Sequence, residues 1–121
     1  MKKILIVEDN PAILEVIEEM LDLHGYDIHT AQNGSDGLQL AKSLLPHLII
    51  SDVTMPKMDG YSMLEALRAD ATTALIPFIF LTANAQKQDV LQGAISGADR
   101  YLTKPFTAQS LLKSVQEVLV L

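Results

Sequence analysis

No cysteine occurs in the 121 residues. That excludes a disulfide framework, thiolate zinc sites and a cysteine nucleophile, and it suits a reducing cytoplasm. Nor is there an apolar run near the roughly 18 residues that a bilayer-spanning helix needs. With 49% hydrophobic and 20% charged residues, the composition is that of a soluble globular chain, and no membrane role is expected. The N-terminal MKKILIVEDN carries two lysines, but its apolar run, residues 4–7, ends at Glu8. That is shorter than the ~7 to 15 residues of a signal-peptide core, so the segment is read as a strand. Positive charge is scarce too: 9 Lys and Arg against 15 Asp and Glu leave a net charge of -6. A nucleic-acid reader needs cations to displace counterions from phosphates, so direct nucleic-acid binding is not expected. A metal cation or a basic partner surface suits this balance better. Linkers, internal repeats and low-complexity tracts are also missing, and residues 1–121 are expected to form one domain around one core.

What is present is an alternation. KKILIVE, YDIHTA, HLIISD, PFIFLT and RYLTK read as short strands, and the first, third and fourth are nearly all aliphatic or aromatic, as parallel strands covered on both faces are. Helical patterns fill the gaps. Asn10 can cap the first helix, Pro11 suits its first turn, and Ile13, Ile17, Met20 and Leu21 share a face until Gly25 offers a left-handed exit. The second runs from about Ser35 to Ser43 with Leu38 and Ala41 inward, and Gly37 weakens it by roughly 0.5 to 1 kcal/mol. The third follows Gly60 with Leu64 and Leu67. The fourth carries Leu91, Ala94, Ile95 and Ala98 and exits at Gly97; the fifth carries Leu111, Val115, Val118 and Leu119. Strict strand-helix alternation predicts an α/β fold: a parallel sheet with right-handed crossovers and helices on both faces.

In such a sheet the residues just past the carboxyl ends of the strands converge on one edge, where ligands bind. Those positions are Glu8 and Asp9 after the first strand, Asp52 ending the third, Thr82, Ala83 and Asn84 after the fourth, and Thr103, Lys104 and Pro105 after the fifth. Two carboxylates ~4 Å apart repel by about 4 kcal/mol at an effective dielectric of 20, so three of them require a counter-ion. The donors are oxygens, with no cysteine or histidine among them, which favours magnesium or manganese over zinc. A carboxylate beside a metal and a lysine can attack phosphorus and form an aspartyl phosphate. Asp52, alone on a central strand, is the natural nucleophile; Glu8 and Asp9 are placed to hold the metal.

Four motifs in order, ILIVEDN, SDVTMPKMDG, FLTA and GADRYLTKPF, closely resemble the receiver domain of two-component response regulators, and the likeness runs through essentially all 121 residues. The resemblance implies a flavodoxin-like (βα)5 three-layer sandwich with sheet order 2-1-3-4-5. It implies that Asp52 is the phospho-acceptor, taking its phosphoryl group from a sensor histidine kinase or a histidine phosphotransfer protein. Glu8, Asp9, Asp52 and the backbone carbonyl of Thr54 would hold magnesium, or manganese in its place, and Lys104 would contact the phosphoryl oxygens ahead of a cis Lys104–Pro105 bond. Thr82 resembles the switch hydroxyl and Tyr101 the switch aromatic. Their movement would reshape the face formed by the fourth helix, fifth strand and fifth helix for a downstream protein or output domain. The implied protein is a cytoplasmic switch with self-catalysed phosphotransfer and slow autodephosphorylation, rather than an enzyme acting on other molecules. The other readings are a flavodoxin-like cofactor protein, which lacks a Ser/Thr/Gly-rich loop after the first strand, and a scaffold that binds partners without phosphorylation.

Two departures from the family pattern stand out. Receivers of winged-helix DNA-binding regulators commonly have acidic residues at both positions occupied here by Asp99 and Arg100, and a basic one near Lys113. Arg100 facing Lys113 would repel, so dimerisation through that ionic network is expected to be weak. Thr54 and Asn84, which flank the phosphoryl site, are both uncharged. The three histidines, His24, His29 and His47, fall away from the acidic edge.

Overall fold

The computed structural model describes residues 1–82 and 97–120. Five parallel strands, β1 (Lys3–Val7), β2 (Asp27–Ala31), β3 (Leu48–Asp52), β4 (Phe78–Thr82) and β5 (Arg100–Thr103), form one sheet in the order β2-β1-β3-β4-β5. Four helices are present among the described residues: α1 (Pro11–Asp22), α2 (Gly34–Leu44), α3 (Gly60–Ala69) and a C-terminal helix (Ala108–Leu119). This is the predicted α/β fold with the predicted strand order. The predicted fourth helix lies outside the described residues; only Gly97, at φ +92, and the half-buried Ala98 mark its expected exit.

The alternation of side chains along each strand feeds two cores, one on each face. Ile4, Ile6, Ile50, Ile79 and Leu81 point toward α1 and the C-terminal helix, where they meet Leu14, Ile17, Leu21, Leu111, Val115 and Val118. Leu5, Val7, Ile49, Phe78 and Phe80 point the other way, toward Ala41 of α2 and Met63, Leu64 and Leu67 of α3. Because strands β1, β3 and β4 are covered on both sides, they are apolar at nearly every position. On α1 Ile17 and Leu21 are buried as the sequence pattern predicts, Ile13 and Met20 are half-buried against the same core, and Leu14, outside the predicted face, is buried as well.

Caps set the helix starts. The Asn10 side chain accepts from the Ala12 and Ile13 amides ahead of Pro11, Asn33 accepts from Asp36, Asp59 from Ser62, and Thr107 forms a reciprocal pair with Ser110. Gly37, a weak helix former by propensity, is explained by packing: a Cβ there would lie 2.9 Å from Val7 Cγ2 and 3.0 Å from Met63 Sδ. At the other end of α2, Leu45 adopts a left-handed conformation (φ 49, ψ 62) while its N–H donates to Ala41 O. A side chain with a Cβ is strained there, so Leu45→Gly should raise the unfolding free energy by about 0.5 to 1 kcal/mol in urea titrations. A loss of stability of that size would show instead that the half-exposed leucine side chain is the larger contributor.

Candidate functional site

All five strands run the same way, so β1, β3 and β5 deliver Glu8, Asp52 and Lys104 to one edge of the sheet. The Lys104 ammonium donates to Glu8 Oε1 at 2.8 Å and to Asp52 Oδ2 at 3.1 Å. Carboxylate oxygens of Glu8, Asp9 and Asp52 all lie within 4.8 Å of one another. Glu8 is fully buried, and Asp9 is exposed. The second oxygens of Asp52 and Glu8 are also engaged: Asp52 Oδ1 accepts from the Val53 amide at 2.8 Å, and Glu8 Oε2 accepts from the Asn10 amide at 3.3 Å.

Local sequence explains why these groups stay put. Asp52 ends a strand buried at Leu48, Ile49, Ile50 and Ser51, so its backbone has no freedom to swing away. The buried Ser51 hydroxyl donates to the Asp52 carbonyl at 2.8 Å. Past Val53 the chain bends, and the Gly60 amide closes the loop by donating to Val53 O at 2.7 Å. Gly60 must be glycine: a Cβ would overlap the Asp52 carbonyl oxygen and sit 2.7 Å from Phe80 Cε1. Gly34 plays the same part from α2, since a Cβ there would overlap the Met58 carbonyl of this loop. Within the loop Lys57 takes a left-handed φ of 69. Exposed Thr54 lies two residues beyond Asp52.

Lys104 is held in turn by its backbone, whose N–H donates to Thr82 O at 2.7 Å, and the Lys104–Pro105 peptide is cis. Thr82 is buried at the end of β4, opposite Thr103 in register. Tyr101 sits half-buried on β5 with its ring 5.5 Å from that of Phe80. Asn84 lies outside the described residues. The histidines are all elsewhere: His24 Nδ1 is 3.0 Å from Met20 O at the end of α1, His47 Nδ1 accepts from the Lys3 amide, and His29 is 3.3 Å from Asp27. Asp99 is spent internally. Its carboxylate accepts from the Phe78 amide at 2.8 Å and faces Arg68 at 3.8 Å, and Arg100 turns back to the Asp99 carbonyl.

Sequence reasoning missed Ser51, Gly60 and Phe80 as parts of this site. For Ser51 a signal existed, a hydroxyl at the end of the apolar run LII; for Phe80 there was none, because an aromatic in a buried strand is unremarked core.

The electrostatics reflect crowding. Burial raises the Glu8 pKa, with the Asp52 charge acting the same way and the Lys104 ammonium and Asn10 amide opposing, and it comes to about 7 against an ordinary 4.5. For Lys104, burial works against the ammonium, but the Glu8 hydrogen bond and the charges of Asp52 and Glu8 outweigh it and lift its pKa above the usual lysine value. Between pH 4.5 and about 7 the unfolded chain has released the Glu8 proton while the folded chain keeps it. The native state then binds more protons, so stability falls as pH rises through that window. In metal-free buffer the wild type should therefore lose roughly 3 kcal/mol relative to Glu8→Gln between pH 4.5 and 7.5. A pH-independent difference between the two proteins in urea unfolding would contradict this.

One ammonium among three carboxylates leaves an excess of negative charge when all are ionised, and every donor is a hard oxygen, the set that a magnesium-sized divalent cation takes. Comparison with known proteins gives this arrangement its family. The sequence model of the response regulator receiver domain matches residues 4–116. The chain belongs to the receiver domain family. Among receiver-containing relatives, the DNA-binding dual master transcriptional regulator RpaA of Synechocystis is 45% identical over 98% of this chain and 49% of its own length. Protein PilH of Pseudomonas aeruginosa is 39% identical over 98% of both chains. The chain thus spans about half of RpaA and nearly all of PilH. Among solved structures, the receiver domain of the sensor histidine kinase PA1611 from Pseudomonas aeruginosa superposes with a TM-score of 0.92 at 34% identity, covering 99% of this chain and 98% of that one. That receiver has a magnesium ion coordinated in its active site cleft. No helix among the described residues is long and apolar enough to cross a membrane.

Proposed function

We propose that this receiver domain, residues 1–121, is a cytoplasmic phosphorylation switch in which Asp52 accepts a phosphoryl group from the phosphohistidine of a sensor kinase or a histidine phosphotransfer protein. The observation that carries the reading is the convergence of the Lys104 ammonium on Asp52 and Glu8, with Asp9 completing an acidic group at the same edge. Asp9, Glu8, Asp52 and the Thr54 carbonyl would hold magnesium, or manganese in its place. The bound cation would neutralise the acidic group and withdraw charge from the phosphoryl oxygens.

The chain's own part begins with orientation. The Val53 amide holds Asp52 Oδ1, and Lys104 holds Oδ2, so the carboxylate faces incoming phosphorus in a fixed pose. An oxygen of Asp52 forms the new bond to phosphorus as the bond to the donor's imidazole nitrogen breaks, and that nitrogen leaves with the electron pair. The Lys104 ammonium lies where phosphoryl charge develops and stabilises it without reorganising. The product carries roughly -2 charge and new acceptor oxygens, which attract the Thr82 hydroxyl. Movement there secures the inward arrangement of Tyr101 and reshapes the β5 and C-terminal helix face for a downstream protein or output domain. Slow hydrolysis by water resets the switch.

Incubation with acetyl phosphate and magnesium, followed by reductive trapping and peptide mapping, tests the reading. One phosphoryl adduct on Asp52 is expected. An adduct on another residue, or none, would overturn it.

A further inference from the structure

Phe80 occupies the centre of an aromatic group on the α3 side of the sheet. Its ring centroid is 4.8 Å from Phe78, 5.0 Å from Tyr61 at the start of α3 and 5.5 Å from Tyr101 on β5. Phe80 itself is fully buried. In register it stands between Ser51 of β3 and Tyr101 of β5, so one residue links the strand that carries the phospho-acceptor to the edge strand. The same ring presses on Gly60, at the point where Gly60 also meets the Asp52 carbonyl. The Asp52 main chain, Gly60, the Phe80 ring and the Tyr101 ring are therefore in consecutive contact.

Packing of this kind transmits displacement because a filled core has few intermediate arrangements. Tyr101 is half-buried on an edge strand, where an aromatic side chain can exchange between an arrangement stacked on its neighbour and one turned to solvent. In this structure it is packed on its neighbour, its ring tilted 31° to that of Phe80. An aromatic pair at this separation favours the packed arrangement beyond what area burial supplies.

We propose that Phe80 is a positioning residue of the switch: its ring holds Tyr101 in the inward arrangement and joins that arrangement to the backbone of Asp52. The proposal rests on the phospho-acceptor reading above. It makes the inward state of Tyr101 the main one before any phosphoryl group arrives, so Phe80 sets the resting bias and raises affinity for a phosphoryl group at the site.

The test is a double-mutant cycle read by the affinity for beryllofluoride with magnesium, a phosphoryl surrogate. Phe80→Leu, or Phe80→Met where the leucine variant folds poorly, should weaken that affinity roughly two- to tenfold in the parent chain. In a Tyr101→Leu background the same change should leave the affinity unaltered. In the unliganded protein, three-bond couplings should show Tyr101 mainly in one χ1 well in the parent and averaged between wells in the Phe80 variant. Equal losses in both backgrounds, or none in either, would overturn the proposal and leave the phospho-acceptor reading standing, because a residue that is merely core moves urea stability without coupling to Tyr101. A parent chain that takes up no beryllofluoride would overturn both.

Discussion

Asp52→Asn should yield a folded protein whose phosphoryl uptake from acetyl phosphate falls by roughly a thousandfold or more. The amide keeps the shape of the side chain and its bond from the Val53 amide, but it has no anionic oxygen to attack phosphorus. Stability should not suffer. Asp52 is one of three carboxylates sharing a single ammonium, and removing one negative charge relieves repulsion while Lys104 retains Glu8. A second readout ties the result to this site: because the Asp52 charge helps raise the Glu8 pKa, the Glu8 titration followed by carbon NMR should move below about 7. Unchanged uptake in the variant would remove Asp52 from the reaction, whatever the mapped adduct.

The second large effect comes from a residue with no functional group. Gly60→Ala places a Cβ against the Asp52 carbonyl and 2.7 Å from Phe80 Cε1, and neither neighbour can yield, since one is backbone and the other is a fully buried ring. The loop between β3 and α3 must move. The expected cost is about 3 kcal/mol of unfolding free energy. Where the variant remains folded, a displacement of Asp52 near 1 Å should slow phosphoryl uptake about a hundredfold. Stability and rate together discriminate: a variant with wild-type stability and rate would mean that the close approach at Gly60 is not needed. Gly34 approaches the same loop from α2, so Gly34→Ala should act in the same direction through Met58.

Some of this could be read directly along the chain. Aliphatic strands alternating with amphipathic helices specify a parallel sheet, because only strands covered on both faces can be apolar at consecutive positions such as Leu48, Ile49 and Ile50. Parallel strands in turn oblige residues at their carboxyl ends to share an edge, which is why Glu8, Asp9, Asp52, Thr82 and Lys104 could be nominated together. Caps are local, so Asn10 was legible as well. The inward stripe of α1 was legible at Ile17 and Leu21, but not that Leu14 is buried more deeply than Ile13, because the rotation of a helix about its axis is settled by what it packs against.

The strand order was expected only from the likeness to receiver domains, but the chemistry-bearing residues and the parallel sheet were determined by periodicity, local caps and parallel connection, all properties of short stretches of chain. Distances were not. That Lys104 would reach both Glu8 and Asp52, across sequence separations of 96 and 52 residues, depends on the register of four strands, β1, β3, β4 and β5, and could be decided only by the assembled sheet. So too the raised pKa of Glu8, which comes first from burial, and the burial comes from packing around β1. The meeting of Asp52, Gly60 and Phe80 was illegible for the same reason: close approach is a relation between surfaces, and no single position in a sequence records it.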